Sequence, residues 1–272
     1  MNIQLKNGTL NLPVAHTHIV LFEKMLTERT PHERDFLFFK NFQQYPALFI
    51  DVGGNIGNSA LSVHFVCPKW RVVSFEPNLS LEYFMKKVKT IFDEEGGEYS
   101  YFLYGLSNQK GDIKIYIPKI DHWYVIGEAS CIKEHFEENI VRTRLSSYST
   151  HGKWELVESE ISIAVFDDFE QQNAIIENEP MIFIKIDVEG YERQVLEGMS
   201  GTIQKKHPIF MIENNESIAS DPVEKYLISL GYQRFQYIQS DNHLIKQHTH
   251  SLNSFYIHSS HVVQPHLAKF IK

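Results

Sequence analysis

Short apolar runs alternate with amphipathic stretches through the first half of the chain. Ala47 to Val52 is apolar except for Asp51 and predicts a buried strand, and Ser59 to Phe65 predicts a helix. Arg71 to Phe75 predicts a second strand, Leu79 to Phe92 a helix, and Tyr99 to Tyr104 a third strand. Strands that alternate with helices are the pattern of parallel βαβ units, because a parallel return needs a crossover. Upstream, Thr30-Pro31-His32-Glu33 reads as a capping box with proline at the first helical position. It opens a predicted aromatic-rich helix over Asp35 to Tyr45 that ends near Pro46.

The rhythm then breaks. After a turn at Asn108 to Gly111, Asp112 to Ile117 alternates like a hairpin strand, and residues 119–160 carry no clear period. This stretch reads as an insertion over the fold, the kind of segment that often shapes a substrate site. Regularity returns with Ile161 to Phe166 and then with Met181 to Asp187, apolar but for Lys185, which is the pattern of a central strand buried on both faces. A helix over Tyr191 to Met199 and a strand over Ile209 to Glu213 follow. The next helix starts at Asp221-Pro222-Val223-Glu224 and ends at Gly231, before two strands, Gln233 to Ile238 and Leu252 to His258, expected to pair antiparallel. The fold expected is therefore α/β: a central, mostly parallel sheet with a C-terminal antiparallel strand pair and helices on both faces. Residues 1–46 read as an N-terminal segment whose helix packs on or caps the core, and 47–272 as one domain carrying the insertion.

Composition narrows the classes. At 272 residues, 43% hydrophobic and 22% charged, the chain can bury one sizeable core. Its two cysteines, Cys67 and Cys131, are too few for a disulfide framework and lack zinc-site spacing, which fits a reducing cytoplasm. A formal net charge of -8 lacks the basic footprint of a nucleic-acid binder. No apolar stretch approaches membrane-spanning length, and the first residues do not form a signal peptide, so the expectation is a cytoplasmic protein with no membrane span.

Candidate chemistry centres on Asp51-Val52-Gly53-Gly54-Asn55-Ile56-Gly57, a glycine turn between a buried strand and a helix. Glycine lets backbone approach a ligand closely, and in open α/β sheets ligands bind beyond the carboxyl ends of the strands. Glu76 ends the second strand, where a carboxylate can accept from both hydroxyls of a ribose. That geometry serves NAD and S-adenosylmethionine (SAM) equally. The glycines depart from the G-x-G-x-x-G fingerprint, and Asp51 closes the strand with a negative charge that a pyrophosphate disfavours and a sulfonium amino acid does not.

The stretches Asp-Val-Gly-Gly-Asn-Ile-Gly-Asn-Ser, Val-Val-Ser-Phe-Glu-Pro-Asn, Gly-Leu-Ser-Asn-Gln-Lys-Gly and Ile-Lys-Ile-Asp-Val-Glu-Gly-Tyr-Glu, in this order, resemble the FkbM family of methyltransferases. Val165-Phe166-Asp167-Asp168-Phe169 and Pro208 to Glu213 extend the resemblance over about residues 48 to 215. It implies a class I SAM-dependent methyltransferase with a Rossmann-like fold, acting on a sugar or other hydroxyl group. By position, it implies that Asp51, Gly53 and Gly57, with Gly54 and Asn55 in the same turn, hold the methionine part. Glu76 would then hold the ribose, and the Leu106-Ser107 turn the adenine. Gly54 departs from the alanine more usual in the family, a change that only removes a methyl from a crowded turn.

Methyl transfer to a hydroxyl needs a positioned acceptor and a base. Asp187, Glu189 and Glu213 end predicted central strands and so gather near the transferred methyl, with Asp187 also in reach of the cofactor. Crowded like charges raise a pKa toward neutrality or bind a divalent metal, although no metal is specifically indicated. Glu189 reads equally well as a helix-start carboxylate. Lys185 is expected to pair with an acid. In the insertion, His122 is a candidate base, and Trp123 and Tyr124 offer faces for a sugar. The pairs His16/His18 and His248/His250 have strand-like metal spacing without a third ligand and read as surface residues.

Two other functions share the fold. An NAD-dependent oxidoreductase or epimerase would need the longer glycine fingerprint and a Tyr-x-x-x-Lys pair, which is missing. A non-catalytic SAM-binding protein would have lost its acceptor site, against which the carboxylates stand. The partner expected is a small-molecule or glycan acceptor, not nucleic acid. Oligomeric state is left open by the sequence.

Overall fold

The structure, a computed structural model, describes residues 2–5, 8–11, 16–121, 123–149, 151–213, 222–246 and 251–272, with side chains from residue 19 onward. A hairpin of β1 (Asn2–Leu5) and β2 (Gly8–Asn11) precedes helix α1 (His16–Glu28) and a 3-10 helix, Arg34–Phe42. There follow β3 (Leu48–Val52), α2 (Asn58–Val66), β4 (Arg71–Phe75), α3 (Glu82–Glu94) and β5 (Glu98–Phe102). The middle of the chain holds β6 (Gly105–Ser107), β7 (Gly111–Ile120), β8 (Trp123–Tyr124), α4 (Asn139–Tyr148) and β9 (Glu155–Val165). It continues through α5 (Phe166–Asn173), β10 (Ile182–Ile186), α6 (Glu192–Gly198), α7 (Ser200–Lys206), β11 (Ile209–Glu213) and α8 (Pro222–Ser229). Strands β12 (Tyr232–Ile238), β13 (His243–Lys246) and β14 (Asn253–His258) and the short helices α9 (Ser259–Val262) and α10 (Pro265–Ala268) end it.

The main sheet runs β13-β12-β14-β11-β10-β3-β4-β5. From β5 to β11 all neighbours are parallel, and β14 inserts antiparallel between β11 and β12. Five parallel strands followed by the antiparallel C-terminal pair β14 and β12, with β13 added antiparallel at the edge, form a sheet of the class I methyltransferase, Rossmann-like kind. Chain order reverses between β3 and β10, so the loops leaving these two strands diverge and open a crevice at their carboxyl ends.

Alternation along the strands feeds two cores. Phe49 and Phe183 face a layer built from α1, the 3-10 helix, α2 and α3, and Leu48, Ile50, Ile184 and Ile186 face α5 to α8. The segment before β3 belongs to the first layer: Phe39 packs edge-on against Phe49 and Phe183, and Phe38 against Phe255.

That segment departs from expectation. The 3-10 helix replaces the predicted α-helix over Asp35 to Tyr45, and its N-cap Glu33 makes no side-chain capping bond. Three residues per turn align Phe36, Phe39 and Phe42 on one face, so the buried aromatic spacing favours the tighter helix. Glu33 instead accepts from Asn253 Nδ2 at 2.8 Å.

Residues 119–160 are also more regular than their pattern. β7 and β9 pair antiparallel in register from Gly111↔Ile163 to Lys119↔Glu155, and β6 adds parallel to β9 in a separate four-stranded sheet, β6-β9-β7-β8. Ile120, Val125, Phe136, Val141 and Leu145 give the insertion a small core of its own. Among the described residues, no helix is long and apolar enough to cross a membrane.

Candidate functional site

A cavity of about 270 Å³ lies over the carboxyl ends of β3, β4, β10 and β11, with the insertion sheet as its far wall. The glycine turn after β3 forms one edge. Gly53 has φ +86°, and a Cβ there would stand 1.9 Å from the Asp187 carbonyl oxygen, so only glycine lets the turn nest against the end of β10. Its N–H and that of Gly54 both donate to Phe75 O at 3.0 Å, which ties the turn to β4.

Glu76 stands at the next strand end. Its Oε2 accepts from Asn55 N at 2.7 Å and its Oε1 from Asn78 N at 2.8 Å, which fixes the carboxylate while each oxygen keeps a lone pair for a ligand. Burial pushes its pKa up to about 7 despite those two bonds, and the charges of Asp51 and Asp187 add to the rise.

The structure separates the expected cofactor residues into two groups. Gly53, Asn55, Glu76, Leu106 and Asp187 are on the cavity wall. Asp51, Gly54, Gly57 and Ser107 are behind it. Asp51 is fully buried, its Oδ2 accepting from Ser74 Oγ at 2.9 Å and its Oδ1 without a hydrogen-bond partner. Burial pushes it up to about 6, against the attraction of Lys185. Gly57 starts α2 at φ +87°, pressed on Val88. Ser107 lies within 3.5 Å of Tyr191 Oη, held there by the close approach of Gly198 to its carbonyl.

Beyond Glu76 the wall turns apolar. Phe75, Pro77, Leu81 and Leu106 face Ile113, Ile115, Ile161 and Ile163 of β7 and β9, a slot suited to a flat heteroaromatic ring. Sequence reasoning missed these isoleucines as site residues, although their period of two was visible; nothing local said that the two strands meet over the cavity.

At the other end Asp187, Glu189 and Glu213 converge, offering one oxygen each within 4.8 Å of one another. Lys185, buried in β10, sets its Nζ 2.5 Å from Asp187 Oδ2, the pairing its sequence position led us to expect. Burial alone would raise Asp187, but Lys185 and a hydrogen bond from Glu213 outweigh it and hold the pKa low. Glu213 is pushed up to about 10 by burial and by Asp187, and Glu189 rises well above the usual range for the same two reasons. Lys185 thus makes Asp187 the most acidic of the three, while burial and the neighbouring negative charge oppose ionising Glu189 and Glu213 beside it.

The helix-start role considered for Glu189 belongs to Glu192, whose Oε1 accepts from Gly190 N at 3.1 Å. Glu189, at φ +51°, instead lines the cavity and faces His135 Nε2 at 3.9 Å. His135 was missed in the sequence, where a lone loop histidine carries no signal. His122, the candidate base, lies outside the described residues, as do His248 and His250. Trp123 and Tyr124 form β8 and do not line the cavity. His16 and His18 begin helix α1 and not a strand, because the apolar residues Ile19, Phe22 and Met25 that follow recur at helical spacing. The cysteines are free: Cys67 is buried, and Cys131 lines the cavity, its thiol pushed up to about 12 by burial and by Glu76. Arg144 of α4 is the one cation among the lining residues and is paired with Glu128 at 2.6 Å.

The family description "Methyltransferase FkbM domain" matches residues 51–234. Among solved structures, a methyltransferase FkbM from Methylobacillus flagellatus KT is 18% identical with a TM-score of 0.47, the match covering 77% of this chain and 43% of that one. A precorrin-6y C5,15-methyltransferase from Geobacter metallireducens GS-15 is 10% identical with a TM-score of 0.38, covering 82% and 84%. The chain thus spans less than half of the length of the first of these proteins. No curated protein matches it significantly. The matched span takes in the glycine turn, Glu76 and all three clustered carboxylates, and on that match the chain belongs to the FkbM methyltransferase family.

Proposed function

We propose that the chain is a SAM-dependent methyltransferase that methylates a hydroxyl oxygen, on a sugar, glycan or secondary metabolite. The observation that carries this reading is the pairing, in one cavity, of a ribose-ready carboxylate with a separate carboxylate cluster. Fit to the cofactor rests on Glu76, held by two backbone amides with lone pairs to spare, and on the isoleucine-lined slot beside it. The lining also favours a sulfonium over a dinucleotide: its cation Arg144 is already paired with Glu128, so a pyrophosphate would find no free positive charge, and Asp187 is held ionised.

When bound, SAM would supply an electrophilic methyl group carried on a sulfonium, with the neutral thioether of S-adenosylhomocysteine as leaving group. Glu76 would accept from the ribose hydroxyls, Gly53 would let the backbone approach the methionine part, and Leu106 with Ile113, Ile115, Ile161 and Ile163 would shield the adenine from water. Asp51 acts through the turn it underlies and not by contact. Asp187, ionised beside Lys185, accepts the hydrogen bond of the acceptor hydroxyl and takes its proton as the new bond to carbon forms. Glu189 and Glu213 hold the acceptor from either side. The residues that would choose among acceptors are in the insertion, which walls the cavity, and in the N-terminal segment.

The test is a panel of sugar, glycan and phenolic acceptors incubated with SAM labelled in its methyl group. Label appearing on an acceptor oxygen, and falling at least a hundredfold in an Asp187→Asn variant that still binds S-adenosylhomocysteine, supports the reading. Label on nitrogen or carbon overturns the hydroxyl assignment. Tight cofactor binding with no transfer across the panel favours a non-catalytic role.

A further inference from the structure

Three carboxyl groups crowd beside a single cation, Lys185, and an unused ligand atom faces them. Ligand atoms on one cation at ~2.1–2.5 Å stand no more than ~4.2–5 Å apart, and Asp187, Glu189 and Glu213 present oxygens within 4.8 Å of one another. His135 comes to the same place from the insertion. Its side chain is 7% exposed, and its Nε2 has no hydrogen-bond partner while pointing toward Glu189 Oε2 at 3.9 Å. That gap is too long for a hydrogen bond and fits one bridging ligand between them. A second cavity, of about 380 Å³, is lined by both His135 and Glu213, and Glu213 lines the first cavity as well.

We propose that Asp187, Glu189 and Glu213 bind a hard divalent cation, with His135 Nε2 holding a ligand that completes its shell. Three carboxylates with one nearby imidazole suit Mg²⁺ or Mn²⁺ better than zinc, which favours sulfur and several imidazoles. Such a cation would stand where the two cavities meet at Glu213, and it would take the acceptor oxygen as a ligand. The acceptor class then narrows to oxygen donors able to ligate a metal, such as vicinal diols and catechols. This step rests on the reading of the site as a methyltransferase centre; the binding of the cation does not.

Mn²⁺ titrated into the chelator-treated protein, followed by the loss of the free-ion electron paramagnetic resonance signal, tests it. Wild type, Glu213→Gln and His135→Ala are compared, and S-adenosylhomocysteine binding is measured by calorimetry in each. Expected is one Mn²⁺ per chain, displaced by Mg²⁺, weaker by about tenfold or more in Glu213→Gln and in His135→Ala, with cofactor binding retained. Protein that binds the cofactor but no Mn²⁺ overturns the proposal and leaves a shared proton between Asp187 and Glu213. Mn²⁺ binding unchanged in Glu213→Gln also overturns it, since the ion is then held elsewhere. Variant-sensitive Mn²⁺ binding in a protein with no affinity for S-adenosylhomocysteine supports the cation site and removes the methyltransferase reading.

Discussion

Glu76 is raised by burial, and the sign of its pH dependence follows. Its pKa of about 7 lies above the unfolded value, so the stability it contributes is present below about 4.5 and lost as pH rises through 7. A ribose whose two hydroxyls both donate needs the ionised carboxylate, so ligand binding draws the proton off. S-adenosylhomocysteine is expected to bind more tightly at pH 8 than at pH 6 and to release a proton at pH 6, read by calorimetry in two buffers of different ionisation enthalpy. Equal affinity with no proton release would contradict this role. The two glycines of the turn should behave differently. Gly53→Ala meets both a positive φ and a backbone oxygen at 1.9 Å, and a loss of ~3 kcal/mol or more is expected in denaturant melts. A Cβ on Gly54 meets the flexible end of Met85 at 3.0 Å and Ser74 Cβ at 3.1 Å, with no positive φ, and Gly54→Ala should cost less than Gly53→Ala, ~1–2 kcal/mol. Site residues legible in the sequence were those at strand ends with a chemical reason to be there. Gly53, Glu76, Asp187 and Glu213 fall in that class, and His135 does not, because its place depends on how the insertion folds back.

The elements that repeat a simple period were readable, and those that depend on a distant partner were not. Arg71 to Phe75 and Ile209 to Glu213 match β4 and β11 residue for residue, because both strands are short, apolar and bounded by polar turns. The insertion was opaque for a different reason: β7 and β9 are separated by more than thirty residues, and their pairing has no local signature. The 3-10 helix was misread because local capping signals were outweighed by the burial of four phenylalanines, three of them on one face. The roof formed by β7 and β9 also carries a prediction. Ile115→Ala removes a wall of the slot and is expected to weaken S-adenosylhomocysteine binding several-fold while lowering stability by ~2–3 kcal/mol. Unchanged affinity in that variant would move the adenine out of the slot.

At the scale of the molecule, the reversal of strand order between β3 and β10 fixes where any ligand binds. The glycine turn, Glu76 and the carboxylate cluster are drawn from four strands, so the site exists only when the whole sheet is assembled. A ligand at this place should therefore stabilise the entire fold: at one hundred times its Kd, S-adenosylhomocysteine is expected to add ~2.7 kcal/mol, a rise in Tm of roughly 4–8 °C. The parallel core and the antiparallel closure were legible because topology follows from the order of elements. The acceptor was not, since it is read by loops whose shape no period encodes. The measurement that bears most directly on the account is calorimetric titration of the full chain with S-adenosylhomocysteine, beside NAD and beside a Glu76→Ala variant. The account requires micromolar binding of S-adenosylhomocysteine, at least tenfold weaker in the variant, and no comparable affinity for NAD. Binding of NAD in preference, or no binding of S-adenosylhomocysteine, would contradict it.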